Sequence, residues 1–277
     1  MKIGIVGLGL IGGSMAKALS NKHEVYGIDL REDVMAEALE TRAIAAALDE
    51  ERLNACDMVM LALFPQRAVD YAKEHAAQFR KDAIVMDLCG VKRVVEKGIL
   101  PLAEAHGFHY IGAHPMAGLA RVGWEYSRSD LFQKASMILV PHRDTTDAVL
   151  TAVRGVVEDA GFGGVAIATA DEHDYMIAYT SQLAHVLSSA YVKTPAAQRH
   201  KGFSAGSFHD MTRVAWLNED MWTELFLDNP DYLAEEVEGL AARLLEYAMA
   251  IRSGDREGLR RLLREGRERK EELEDRE

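Results

Sequence analysis

Two sets of residues in this chain have types and spacings that could do chemistry. The first is Gly7-Leu8-Gly9-Leu10-Ile11-Gly12, which follows the strand-like run Ile3-Gly4-Ile5-Val6 and opens a helical pattern. In that place the first glycine permits a tight turn, the second lets the backbone approach a pyrophosphate, and the third lets helix and strand pack closely. The helix start adds unpaired N–H groups and the positive end of its dipole. Asp29 ends the next strand-like run, 22 positions after Gly7, where a carboxylate accepts hydrogen bonds from an adenosine ribose. A carboxylate there repels a 2′-phosphate and favours NAD over NADP; Arg31 is the nearby cation that would offset the preference. Gly7, Gly9, Leu10, Ile11, Gly12, Asp29 and Leu63 are the expected cofactor-binding residues.

The second set is scattered. His114-Pro115-Met116-Ala117-Gly118 follows a strand and begins a long loop. Ser181-Gln182-Leu183-Ala184-His185 sets a hydroxyl and an imidazole at i,i+4 on one helix face. Phe208-His209-Asp210-Met211-Thr212-Arg213 puts a guanidinium among polar neighbours. Each alone reads as readily as a core or surface residue; three such patches beside a nucleotide motif predict a shared cleft. Gly202-Phe203-Ser204-Ala205-Gly206 imitates a nucleophile elbow, but polar residues precede it and the last histidine, His209, comes too soon to close a triad. Glu172-His173-Asp174 lacks the paired histidines of a metal site, and Asp171 is expected to act there as a helix N-cap. No metal site is expected.

Positioning these residues requires a sheet. Lys2–Val6, Glu24–Ile28, Asp57–Ala62, Ala83–Asp87, Phe108–Ile111, Ser136–Val140 and Gly164–Ala168 read as strands. Ser14–Asn21, Arg31–Thr41, Gln66–Gln78, Val91–His106 and Thr145–Ala160 read as helices between them. This alternation predicts βαβ units and a parallel sheet covered on both faces. Beyond residue 169 the strand pattern stops. The expected organisation is an α/β Rossmann-type N-terminal domain, 1–168, followed by an all-α C-terminal domain, 169–277, that packs against a second copy of the chain.

Composition narrows the partners. The 277 residues are 48% hydrophobic and 27% charged, with a formal charge of −12, which disfavours phosphate backbones as ligands. The tail from Arg252 to Glu277 balances nine basic against nine acidic side chains, so it is no nucleic-acid arm. Two separated cysteines, Cys56 and Cys89, give neither a disulfide framework nor a zinc cluster and point to a reducing compartment. The uncharged run Ile3–Ala16 is too glycine-rich for a signal peptide and too short for a membrane span. The expected setting is the cytoplasm, with a small molecule as substrate and neither nucleic acid nor membrane as partner.

Taken together, GLGLIGGS, Asp87–Lys92, HPMAG, SQLAH and the helix ending in DMTR resemble the prephenate dehydrogenase family, the prephenate and arogenate dehydrogenases of tyrosine biosynthesis. The resemblance spans almost the whole chain. It implies NAD as cofactor, a helical domain that builds a homodimer, and oxidative decarboxylation of prephenate to 4-hydroxyphenylpyruvate. It also implies His114 as the catalytic base, Arg213 as the carboxylate ligand, His185 facing the substrate side chain or carboxylate, and Ser181 and Gln182 lining the same wall. Two positions depart from the family pattern: Gly90 stands where many members carry a serine before Val91-Lys92, and Ala184 replaces the usual proline. With no further domain expected after residue 277, feedback by tyrosine would act at the active site. Other readings are an arogenate dehydrogenase, a related hydroxyacid or imine oxidoreductase (whose expected helix lysine is absent from Ser181–His185), and a catalytically silent nucleotide sensor.

Overall fold

The computed structural model describes residues 1–119 and 121–274; Arg276 of the charged tail lies outside them. By internal contacts the chain forms two compact units, 1–229 and 230–277.

The first unit is built on an eight-stranded sheet: β1 (Lys2–Val6), β2 (Glu24–Ile28), β3 (Ala46–Ala47), β4 (Met58–Leu61), β5 (Ile84–Asp87), β6 (His109–Pro115), β7 (Ser136–Pro141) and β8 (Gly164–Ile167), in the order β3-β2-β1-β4-β5-β6-β7-β8. Strands β1 to β6 are mutually parallel, and β7 pairs antiparallel to β6. The all-parallel expectation is therefore corrected at this pair. A strand buried on both faces carries the same apolar run whichever way it points, so the sequence does not encode its direction.

Alternation along the strands feeds two cores. Ile3, Ile5, Met58, Met60, Ile84 and Met86 face one side, against α1 (Leu10–Leu19), α2 (Glu32–Glu40) and α6 (Asp147–Asp159). Val6, Val59, Leu61 and Val85 face the other, against α3 (Glu50–Ala55), α4 (Pro65–His75) and α5 (Arg93–His106). Helix α1 starts at Leu10, four residues before the helical run expected from Ser14.

The switch to helix comes after β8. Thr169 caps α7 (Ala170–Ile177) in a reciprocal capping box with Glu172, its Oγ1 accepting from Glu172 N at 3.2 Å. Asp171 is thus inside the helix, and the expected Asp171 cap is corrected. Helix α7 continues through a π-helical turn, Ala178–Gln182, into α8 (Leu183–Val192); α9 (Gly206–Thr212) and α10 (Glu219–Leu227) follow. These helices belong to the first unit because α7 is tied to the start of α5: the Asp174 carboxylate accepts from Lys92 N at 2.8 Å and Arg93 N at 2.9 Å. A carboxylate at a helix N-terminus satisfies orphan donors and opposes the dipole.

The second unit is a pair of helices, α11 (Pro230–Ser253) and α12 (Arg256–Glu274), held by Tyr247 donating to the Leu262 carbonyl at 3.1 Å. Among the described residues no helix is long and apolar enough to cross a membrane.

Candidate active site

Register across the sheet places Ile28, Val6, Leu61, Asp87 and Gly112 in one row near the carboxyl ends of the parallel strands. Just beyond that row come Gly7, Leu63, Gly90 and His114. Ligands of open α/β sheets bind at this edge.

At Gly7 φ is +88°, and a Cβ would stand 2.5 Å from the Ala62 carbonyl oxygen and 2.9 Å from Leu63. A Cβ on Gly12 would meet the Gly7 carbonyl at 1.9 Å. A Cβ on Gly9 would meet nothing within 4 Å. Gly7 and Gly12 are therefore glycines because the protein itself is close, whereas Gly9 opens onto unfilled space. No side chain caps α1, so the N–H groups of Leu10, Ile11 and Gly12 remain for an anion. Asp29 accepts from Leu8 N at 2.7 Å on one oxygen and from Arg31 N at 3.0 Å on the other. Each oxygen keeps a lone pair for a ribose hydroxyl. Arg31, expected to soften the dinucleotide preference, pairs with Asp33 at 2.6 Å and Glu125 at 2.8 Å. Its charge is already answered by two carboxylates.

His114 stands near the end of β6, half-buried, with Nδ1 2.9 Å from Nε2 of His173. Nδ1 of His173 lies 2.7 Å from Asp174. Burial holds the His114 imidazole well below the usual histidine range, and neighbouring His173 and Lys92 push the same way. Burial also lowers His173, against the hydrogen bond to Asp174. Burial opposes ionisation of Asp174, but hydrogen bonds from His173 and the Arg93 and Lys92 N–H groups outweigh it and hold its carboxyl below the usual range. Both rings are accordingly neutral near pH 7, beside an ionised carboxylate.

Lys92 is fully buried, its ammonium paired with Asp87 and donating to the Ala113 carbonyl at 2.7 Å. Tyr110 and the Cys89 N–H also donate to Asp87, at 2.7 and 2.9 Å. This cluster fixes the backbone on which His114 is mounted. At Gly90, where the family serine is missing, a Cβ would stand 3.2 Å from Leu225.

His185 on α8 is bound through Nδ1 to the Val214 carbonyl at 2.9 Å and stacks on Trp222, ring centres 3.9 Å apart. Burial lowers its pKa; the Val214 carbonyl works against this and the charge of Arg213 adds to it. Arg213 is exposed, follows α9 in a short 3₁₀ turn, and pairs with no carboxylate among the described residues. His185 and Arg213 are thus neighbours. Gln182 is 1% exposed and spends both ends of its amide inside the protein: Nε2 donates to Leu225 O at 2.9 Å, and Oε1 accepts from Asn229 at 2.8 Å. Asn229 also donates to the Asp174 carbonyl at 2.8 Å, which links Gln182 to the His114–His173 pair. Ser181 lies half-buried in the π turn.

Sequence reasoning missed His173, Asp174, Asn229 and Trp222. One signal was readable: Thr169-x-x-Glu172 is a capping-box pattern, and it frees the acids that follow from a capping role.

Two family profiles match. Residues 14–166 match the prephenate dehydrogenase nucleotide-binding domain, and residues 169–265 match the prephenate dehydrogenase dimerization domain. The chain belongs to the prephenate dehydrogenase family. Among relatives of this oxidoreductase family, cyclohexadienyl dehydrogenase of Zymomonas mobilis is 29% identical over 91% of this chain and 89% of its own. A prephenate dehydrogenase from A. aeolicus, solved with hydroxyphenyl propionate and NAD+, superposes with TM-score 0.84 at 29% identity over 99% of this chain and 98% of its own. The arogenate dehydrogenase of Synechocystis gives TM-score 0.82 at 25% identity over 99% and 100%.

Proposed function

We propose that this chain is an NAD-dependent prephenate dehydrogenase that converts prephenate to 4-hydroxyphenylpyruvate, with a nucleotide-binding domain over 1–168 and a helical substrate and dimerisation domain over 169–277. The observation that carries it is the placement of His114, a neutral imidazole, at the same sheet edge as the glycine turn. The setting we infer is cytoplasmic, matching two buried free cysteines, and the assembly a homodimer.

NAD, when bound, supplies the acceptor for the hydride leaving C4 of the substrate. Gly7, Gly9, Gly12, Leu10 and Ile11 would hold its pyrophosphate, Asp29 its ribose, and Leu63 one side of the pocket. His114 takes the C4 hydroxyl proton through its free ring nitrogen. As the bond to CO2 breaks, its electron pair runs through the ring to the C4 oxygen, and His114 returns the proton there; the base is regenerated and the ring becomes aromatic. Arg213 binds a substrate carboxylate, His185 faces the side chain, and Ser181 and Gln182 shape that wall, Gln182 by holding the helix rather than by a free hydrogen bond.

The decisive assay mixes protein, NAD and either prephenate or arogenate and follows reduced nicotinamide at about 340 nm. Faster turnover of prephenate is expected; preference for arogenate would reassign the substrate, and silence with both would remove the activity. Arg213→Ala should raise the substrate KM about tenfold or more, the scale of a charge-assisted hydrogen bond. An unchanged KM would place the carboxylate elsewhere. Gly9→Ala should weaken NAD binding by calorimetry about tenfold at unchanged melting temperature, because the added methyl meets no protein atom within 4 Å. Undiminished affinity would move the pyrophosphate off this turn.

A further inference from the structure

Resting on the reading just given, we propose that His173 and Asp174 are positioning residues for His114, a relay that fixes which ring nitrogen of His114 carries hydrogen and leaves Nε2 as the free base. The assignment follows by elimination. An ionised carboxylate can only accept. Oδ1 of Asp174 is 2.7 Å from Nδ1 of His173, so that nitrogen carries the hydrogen. A neutral imidazole has one N–H, which leaves Nε2 of His173 as a lone pair. That lone pair faces Nδ1 of His114 at 2.9 Å, so His114 donates there and its own lone pair is on Nε2. The opposite tautomer would set two lone pairs against each other in a buried contact, leaving both without a donor.

The relay also answers the charge that His114 gains. When Nε2 takes the substrate proton, the Nδ1–H of His114 strengthens its bond to His173, whose own N–H points at Asp174. No proton crosses between the rings. The buried Lys92 ammonium repels the new imidazolium, but Asp87 neutralises Lys92, so Asp174 is the carboxylate in line with the charge.

His173 has no visible structural duty that explains its chemistry. It is 2% exposed, and among the described residues its ring nitrogens bond only His114 and Asp174. Asp174, by contrast, also caps α5, so His173 is the cleaner site for a test.

The test compares wild type, His173→Phe and His173→Gln. Phenylalanine keeps the ring and removes both hydrogen bonds; glutamine keeps an acceptor for His114 and a donor. Nitrogen-15 NMR of the histidine rings, in protein without ligands, should show His114 with hydrogen on Nδ1 in wild type and in His173→Gln, and a mixture in His173→Phe. Kinetically, His173→Phe should lose roughly 10²-fold or more in kcat, with KM for both substrates within about threefold, and glutamine should restore at least about fivefold. Hydrogen on Nε2 of wild-type His114, or a folded His173→Phe with wild-type kcat, would overturn the proposal. If His173→Phe does not fold, the tautomer in wild type and in His173→Gln decides alone. If wild type turns over neither substrate, the proposed activity fails, while the tautomer still reports on the relay.

Discussion

Replacing His114 with asparagine should lower kcat by roughly 10²–10⁴-fold, the usual cost of losing a positioned general base. The substitution keeps a polar side chain of similar reach, so the fold and the nucleotide turn, which His114 does not touch, should survive. The pH profile sharpens the expectation. The deprotonated imidazole is the active form, so activity is full above the folded pKa of His114 and is lost as pH falls through it. Burial, with His173 and Lys92 alongside, holds that value well below the usual histidine range. The acid limb of kcat/KM should therefore lie below about pH 6.5, the unperturbed histidine value, and should vanish from His114→Asn. Turnover at the wild-type rate in the variant would remove His114 from the mechanism.

The largest effect on stability should come from Lys92→Met. Lys92 and Asp87 are both fully buried and face each other. Removing the ammonium strands a carboxylate in the core, which costs about 3–5 kcal/mol, a large part of the roughly 5–15 kcal/mol that holds a typical domain folded. Urea unfolding should show the midpoint falling accordingly. The double variant Asp87→Asn with Lys92→Met should be more stable than Lys92→Met alone, since no charge is stranded and the asparagine oxygen still accepts from Tyr110 or the Cys89 N–H. A Lys92→Met protein within about 1 kcal/mol of wild type would mean the carboxylate finds another partner or a proton.

The parts legible in the sequence were those written in local pattern. The strand, glycine turn and helix from Lys2 to Leu19, with Asp29 beyond, are a local motif, and the structure has them in that order, with the helix beginning at Leu10 rather than at Ser14. Strand β3 and helix α3 were not legible, because two and six residues are too few to establish a period. The direction of β7 left no mark on its side chains. In sequence His173 reads only as part of a helix start, because its partner, His114, lies 59 residues away; contact at that range is made by tertiary packing, and no spacing rule encodes it. Gln182 reads as a wall residue from its neighbours, yet both ends of its amide bond inside the protein, to Leu225 and Asn229.

The π-helical turn at Ala178–Gln182 separates His173 from His185 along one continuous rod. Twelve steps of regular α-helix rotate a side chain by about 120°. A wider turn that absorbs one residue leaves about 20°. The two imidazoles are thus brought into phase by an insertion of a single amino acid. Winding the same residues into regular α-helix, with none removed, would restore the offset of about 120° and swing the Trp222-stacked ring out of line with the ring that supports His114.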